Sequence, residues 1–168
     1  KILISFMYDC GLRRHELLNV RIVDIDFDRK MLHIRQGKGR KDRYVPIGEL
    51  TLRGLKKYIS TENPKEFLFY KSNAQGEASR YSESAVQFVL SQARRKSGLE
   101  KKVSCHTLRH SFATHLLEMG LDIVSLKDLL GHSAIETTMM YLHISRIGRQ
   151  TAFSPLDRVY NIEPKIKK

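Results

Sequence analysis

A mostly helical α+β domain with a small three-stranded antiparallel sheet is the fold class this sequence predicts. Three short runs rich in β-formers, at residues 22–27, 31–35 and 43–47, are separated by turn chemistry: Asp28-Arg29-Lys30 first, then Gly37-Lys38-Gly39-Arg40-Lys41-Asp42. The second half carries helical periodicity punctuated by glycine. The length of 168 residues fits one domain able to bury a core, and no internal repeat or composition break divides it.

The elements follow in order. Residues 1–9 are apolar and helical, and Gly11 offers the left-handed stop that ends such a helix. No capping residue precedes them, so the chain reads as a piece of a longer protein with another domain ahead of it. A short helix is expected over 13–19, followed by the three-stranded meander. Residues 49–60 form a helix, 67–70 a brief extended piece, and 71–80, with Ser, Asn, Gly and Gln, a polar loop. A helix covers 82–98. Helices at 106–119, 122–130 and 135–142 follow, with Gly120 and Gly131 near the ends of the first two. The tail from Ser145 is basic and turn-rich, and Phe153, Leu156 and Tyr160 could line one face of a short helix there. Docking of that tail on a neighbouring protomer and packing on its own domain are both open.

Composition narrows the function. Thirty Lys and Arg against 18 Asp and Glu give a formal charge of +12, the footprint of a polyphosphate binder. No apolar run approaches the ~20 residues that span a bilayer, and no basic amphipathic helix stands out, so nucleic acid is favoured over a membrane surface. Two cysteines, Cys10 and Cys105, are too few for a disulfide framework and suit a reducing cytoplasm.

Four segments carry candidate chemistry. In Gly11-Leu12-Arg13-Arg14-His15-Glu16-Leu17, an arginine just after a helix break presents a planar fork of donors that can grip a phosphate. Glu16 lies three residues on, able to orient Arg13; taken alone, a surface ion pair explains the pattern as well. In Gly37-Lys38-Gly39, flanking glycines let a loop-tip lysine approach a ligand closely, or simply touch a DNA backbone. In His106-Thr107-Leu108-Arg109-His110, His106 and Arg109 project from one helical face toward one ligand. His106 and His110 also have zinc-helix spacing, but the Glu of His-Glu-x-x-His is missing. In Leu130-Gly131-His132, the glycine turns His132 toward the next helix, and Tyr141 follows nine residues later, through Thr137-Thr138. A lone tyrosine there is ordinarily a core residue.

In combination and in this order, from Gly11 to Tyr141, the four segments resemble the catalytic domain of the tyrosine recombinase family, which includes phage integrases and chromosome-dimer resolvases. The resemblance implies a mechanism. Arg13 and Arg109 clamp the non-bridging oxygens of the scissile phosphate and His132 is a third donor to it. Tyr141 is the nucleophile, leaving a 3′-phosphotyrosyl bond and a free 5′-hydroxyl. His106 acts as general base on a phenol whose ordinary pKa is ~10, and Lys38 as the general acid that protonates the departing 5′-oxygen. Arg14 competes with Arg13, and Lys41 with Lys38; Gly-Leu-Arg favours Arg13 and the flanking glycines favour Lys38.

The resemblance further implies no cofactor and no divalent cation, rejoining without ATP, and a homotetramer on two double-stranded DNA sites exchanging strands through a Holliday junction. Residues 1–168 correspond to the catalytic domain, the family's amino-terminal DNA-clamping domain being absent from this chain. A cytoplasmic, nucleoid-associated protein serving a mobile element is expected. The alternatives are relaxation of DNA by a type IB topoisomerase, whose site uses a related residue set, and a DNA-binding module without chemistry.

Overall fold

The computed structural model describes residues 1–35, 42–72 and 78–142. Lys38 and Lys41, and the tail containing Phe153, Leu156 and Tyr160, lie outside the described residues.

Helix α1 (Ile2–Asp9) is the central pillar, with Phe6 and Met7 fully buried. It stops where Gly11 turns left-handed, with φ +56°, and the Leu12 N–H closes back on the Met7 carbonyl at 3.1 Å. A Cβ on Gly11 would stand 2.4 Å from Cδ1 of Phe112, so conformation and space both require glycine. Helix α2 (Arg14–Asn19) starts at once, with Arg13 as its extended N-cap.

Strands β1 (Ile25–Asp26), β2 (Met31–Ile34) and β3 (Arg43–Pro46) form the antiparallel meander in the order β1-β2-β3. The register pairs Ile25 with Leu32 and Leu32 with Val45, giving one buried apolar row that packs into the core around α1. Helix α3 (Glu49–Glu62) follows, then α4 (Glu83–Ser97), capped by the Ser82 hydroxyl and ended by Gly98. Helix α5 (Cys105–Glu118), capped by Ser104, packs against α1. Helix α6 (Ile123–Leu130) is capped by Asp122 and leads through Gly131 to the four-residue α7 (Glu136–Met139). A second apolar cluster of Phe112, Ala113, Leu117, Leu126 and Leu130 joins α5 to α6, and the Tyr141 ring belongs to it.

Three expectations need correction. The run 22–27 is a strand only at Ile25–Asp26. Ile22–Asp24 is a 3-10 turn, because the Asp24 carboxylate accepts from the Arg21 N–H at 3.0 Å and from Nε of Arg35 at 2.6 Å. The loop expected at 71–80 contains a hairpin, β4 (Tyr70–Ser72) with β5 (Ala78–Arg80). Lys71, Ser79 and Arg80 are exposed, so among its described side chains the hairpin offers no apolar alternation to read. The helix expected over 135–142 keeps helical form only to Met139; Tyr141 and Leu142 bond back three residues, to Thr138 and Met139, in turns. Among the described residues no helix is long and apolar enough to cross a membrane.

Candidate active site

The site is organised by the end of α6. A helix leaves its last carbonyls without intrahelical partners, and they carry the negative end of its dipole. Here three successive carbonyls each accept from a different arginine. Leu129 takes Nε of Arg43 at 2.8 Å, Leu130 takes Nη2 of Arg109 at 2.6 Å, and Gly131 takes Nη2 of Arg13 at 3.1 Å. Gly131, with φ +62°, makes the turn that splays these carbonyls, and a Cβ there would lie 2.8 Å from Nη1 of Arg43.

Glu16 binds the cluster from the opposite side. It is only 3% exposed, yet its carboxylate is fully used. Arg43 grips it bidentately, at 2.8 Å to each oxygen; Arg13 adds a side-chain bond and a backbone N–H bond, both 2.8 Å; and Nη1 of Arg109 stands 3.9 Å away. Burial by itself would raise the Glu16 carboxyl, but the Arg43 hydrogen bonds and charge, followed by Arg13, outweigh it and hold the group at about 2. Its folded value is thus depressed below an unfolded value of ~4.3, so this stability is present above pH ~4.3 and is lost as pH falls toward 2. Across that window the group's contribution amounts to about 3 kcal/mol. Denaturant midpoints between pH 5 and about 2 should therefore converge for the parent chain and Glu16→Gln, the gap at neutral pH closing with acid.

Arg109 sits at the bottom, 5% exposed. Its Nη1 donates to the Gly11 carbonyl at 2.6 Å, while Nη2 serves both Leu130 and, at 3.2 Å, Nε2 of His132. Burial, then the Arg13 charge, lowers it to about 10, so it stays cationic at neutral pH. Nδ1 of His132 lies 2.9 Å from the hydroxyl of the fully buried Thr138.

Around this base opens a cleft of about 500 Å³ whose walls include Arg13, His106, Arg109, His132 and Tyr141, together with Arg14, His15 and His110. Side chains from far-separated parts of the chain, Arg13 and Tyr141 at the extremes, thus face one space. His106, exposed in the first turn of α5, sits one turn ahead of Arg109. The Tyr141 ring lies parallel to His132, within 9° at a centroid distance of 6.4 Å, and is 5.0 Å from the ring of His110. Arg14 also borders the cleft but pairs with Glu83 on the cleft wall, Nη2 to carboxylate at 2.5 Å, whereas Arg13 is tied into the cluster. Among the described residues no three His, Cys, Asp or Glu side chains are grouped as metal ligands.

Two residues of the site escaped the sequence reading. Arg43 was legible only as the first residue of a strand, and joins the cluster through contacts across the fold; Thr138 was legible only as part of the spacer before Tyr141, and meets His132 six residues away around the turn.

Comparison with known proteins places these residues in a family context. Residues 1–146 match the model of the phage integrase family. A tyrosine recombinase of Thermosipho africanus is 42% identical over 145 residues, covering 86% of this chain and 50% of that protein. Tyrosine recombinase XerA of Pyrococcus furiosus is 38% identical over 146 residues, again 86% of this chain and 50% of the relative. The chain spans about half the length of the curated relatives it matches. Among solved structures, the crystal structure of XerA recombinase superposes with a TM-score of 0.77 at 29% identity, over 90% of this chain and 57% of that one. XerH recombinase, in a post-cleavage complex with palindromic difH substrate, gives 0.74 at 26%, over 96% and 44%. The catalytic domain of bacteriophage HP1 integrase shares the fold, with a TM-score of 0.61 at 24% identity over 97% of this chain and 84% of that one.

Proposed function

This chain belongs to the phage integrase family of tyrosine recombinases, and from that premise we propose that it is the strand-cutting domain of a site-specific DNA recombinase acting through Tyr141. One observation carries the reading: Arg13, His106, Arg109, His132 and Tyr141, drawn from three of the four segments, line a single cleft. The relatives compared above are recombinases and integrases, and the topoisomerase reading is set aside.

In this reading the scissile phosphate lies over Arg109 and Arg13, whose guanidiniums are already held by helix-end carbonyls and Glu16 and need little reorganisation when charge builds on the non-bridging oxygens. His132 donates to the same phosphate. His106 accepts the Tyr141 phenol proton as the oxygen attacks phosphorus, forming the 3′-phosphotyrosyl bond and breaking the bond to the 5′-oxygen. That oxygen leaves as a hydroxyl with a proton from Lys38. The attack of a 5′-hydroxyl on the phosphotyrosine reverses these steps and reseals the strand.

Nicked duplexes carrying a randomised core test the reading. Cleavage near the nick releases a short fragment and traps the protein, so a detergent-resistant adduct enriched in particular sequences is expected. Saturated DNA binding with no adduct would leave only the DNA-binding module. The Lys38 assignment has its own test. Lys38→Ala should slow cleavage by about 10²-fold or more on ordinary DNA, and recover on a substrate whose 5′-bridging oxygen is sulfur, a leaving group that needs no proton. Lys41→Ala showing that pattern instead would transfer the role.

The proposal extends to the whole protein. Relatives of which the matched residues make up only half support a preceding domain that helps clamp DNA. The formal charge of +12 and the DNA-bound XerH likeness support double-stranded DNA as partner. We read the working assembly as a homotetramer on two sites, exchanging strands through a Holliday junction at the nucleoid in the cytoplasm. Inverted repeats or transfer genes beside the gene would support service to a mobile element.

A further inference from the structure

We propose that Thr138 is a positioning residue that sets which ring nitrogen of His132 carries the proton, and that its hydroxyl lets the ring change tautomer when a DNA phosphate enters the cleft. The inference rests on the recombinase reading for its second half; the first half stands on geometry alone.

A guanidinium can only donate hydrogen bonds. Nη2 of Arg109, 3.2 Å from Nε2 of His132, therefore requires a lone pair on that nitrogen. The neutral ring then bears its proton on Nδ1, and Nδ1–H donates to the Thr138 hydroxyl 2.9 Å away. In this state His132 offers the cleft no donor from Nε2. A phosphate arriving over Arg109 competes for the same Nη2 hydrogen. To bind the phosphate itself, Nε2 must carry a proton, and a neutral ring must then have a lone pair on Nδ1.

The change moves one proton from Nδ1 to Nε2 through water in the cleft, with no change in charge. It reverses the demand on the group facing Nδ1, from acceptor to donor. A backbone carbonyl or a carboxylate could serve only the first state. A hydroxyl serves both by rotating. Thr138 is also firmly held, being fully buried, and its own carbonyl accepts the Tyr141 N–H at 3.0 Å. One residue thus ties the orientation of His132 to the backbone that carries the nucleophile.

Nitrogen-15 spectra of the His132 ring in the parent chain give the first test. Without DNA the Nδ1–H form is expected; with the trapping duplex recovered from the randomised library bound to the Tyr141→Phe chain, which holds it uncut, the Nε2–H form is expected. An Nε2–H ring in the free protein, or an imidazolium with DNA bound, overturns the proposal. Variants give the second test. Thr138→Val keeps the shape and removes the hydroxyl, so the adduct should form about 100-fold more slowly, on the scale of losing one oxyanion donor, with DNA affinity unchanged. Thr138→Ser should cleave within a few-fold of the parent. Equal cleavage by folded Val and Ser variants overturns the proposal; if the Val variant fails to fold, the ring spectra of the parent still decide. Absence of any adduct with the parent chain would instead refute the recombinase reading, while the Nδ1–H tautomer of the free protein would still report on the Thr138 contact.

Discussion

Tyr141→Phe is expected to abolish the covalent protein–DNA adduct, by at least about 10⁴-fold, while leaving the fold and DNA binding in place. The expectation follows from where the ring lies. Tyr141 is 6% exposed and belongs to the apolar cluster of Phe112, Leu126 and Leu130, so most of what it contributes to stability comes from the ring, which phenylalanine keeps. The variant removes only the hydroxyl. Thermal unfolding should therefore stay close to that of the parent chain, and a gel-shift titration should be superimposable on it. An adduct surviving in Tyr141→Phe would assign the nucleophile to another side chain of the cleft.

The second large effect is on stability. Arg43→Met is expected to destabilise the domain by about 3 kcal/mol, because it strands most of a buried charge. Arg43 supplies both oxygens of Glu16 with a partner and closes the Leu129 carbonyl, and its side chain is itself 9% exposed. For a domain of this size the loss corresponds to a melting temperature about 10 °C lower. Adding Glu16→Gln to that background should recover part of it, since the stranded charge is gone. Cleavage should fall as well, with Arg13 drawn down onto a carboxylate it no longer shares. An Arg43→Met chain as stable as the parent would contradict the assignment of this pair as the keystone of the cluster.

What the sequence made legible, and what it hid, divides along the range of the interactions. The left-handed turns at Gly11 and Gly131 and the caps around them are local, and the helix boundaries followed from them to within a residue or two. The Arg13–Glu16 pairing is also local, three residues apart, although its burial was not readable. Convergence of Arg13, His106, Arg109, His132 and Tyr141 on one cleft was expected from the family resemblance; no periodicity in the chain encodes it. Arg43 was missed because its partners lie 27 and 86 residues away, and a strand-initial arginine is ordinarily a solvated edge residue. Thr138 was missed because a threonine inside a helical run ordinarily packs or bonds its own helix. The 70–80 hairpin was read as a loop because its exposed strands leave no apolar period behind.

The three-arginine seat at the end of α6 gives these facts a common cause. Carbonyls that a helix cannot satisfy internally are a fixed feature of its end, and here three successive ones, of Leu129, Leu130 and Gly131, each align a guanidinium. The buried Glu16 offsets the mutual repulsion of the Arg13 and Arg43 cations that surround it.

Mass spectrometry of the trapped adduct, after digestion of both protein and DNA, reads the chemistry at its origin. The account predicts a single modified peptide, the one containing Tyr141, with a nucleotide joined to the phenol oxygen through its 3′-phosphate. A nucleotide on any other residue, or one joined through a 5′-phosphate, would contradict it.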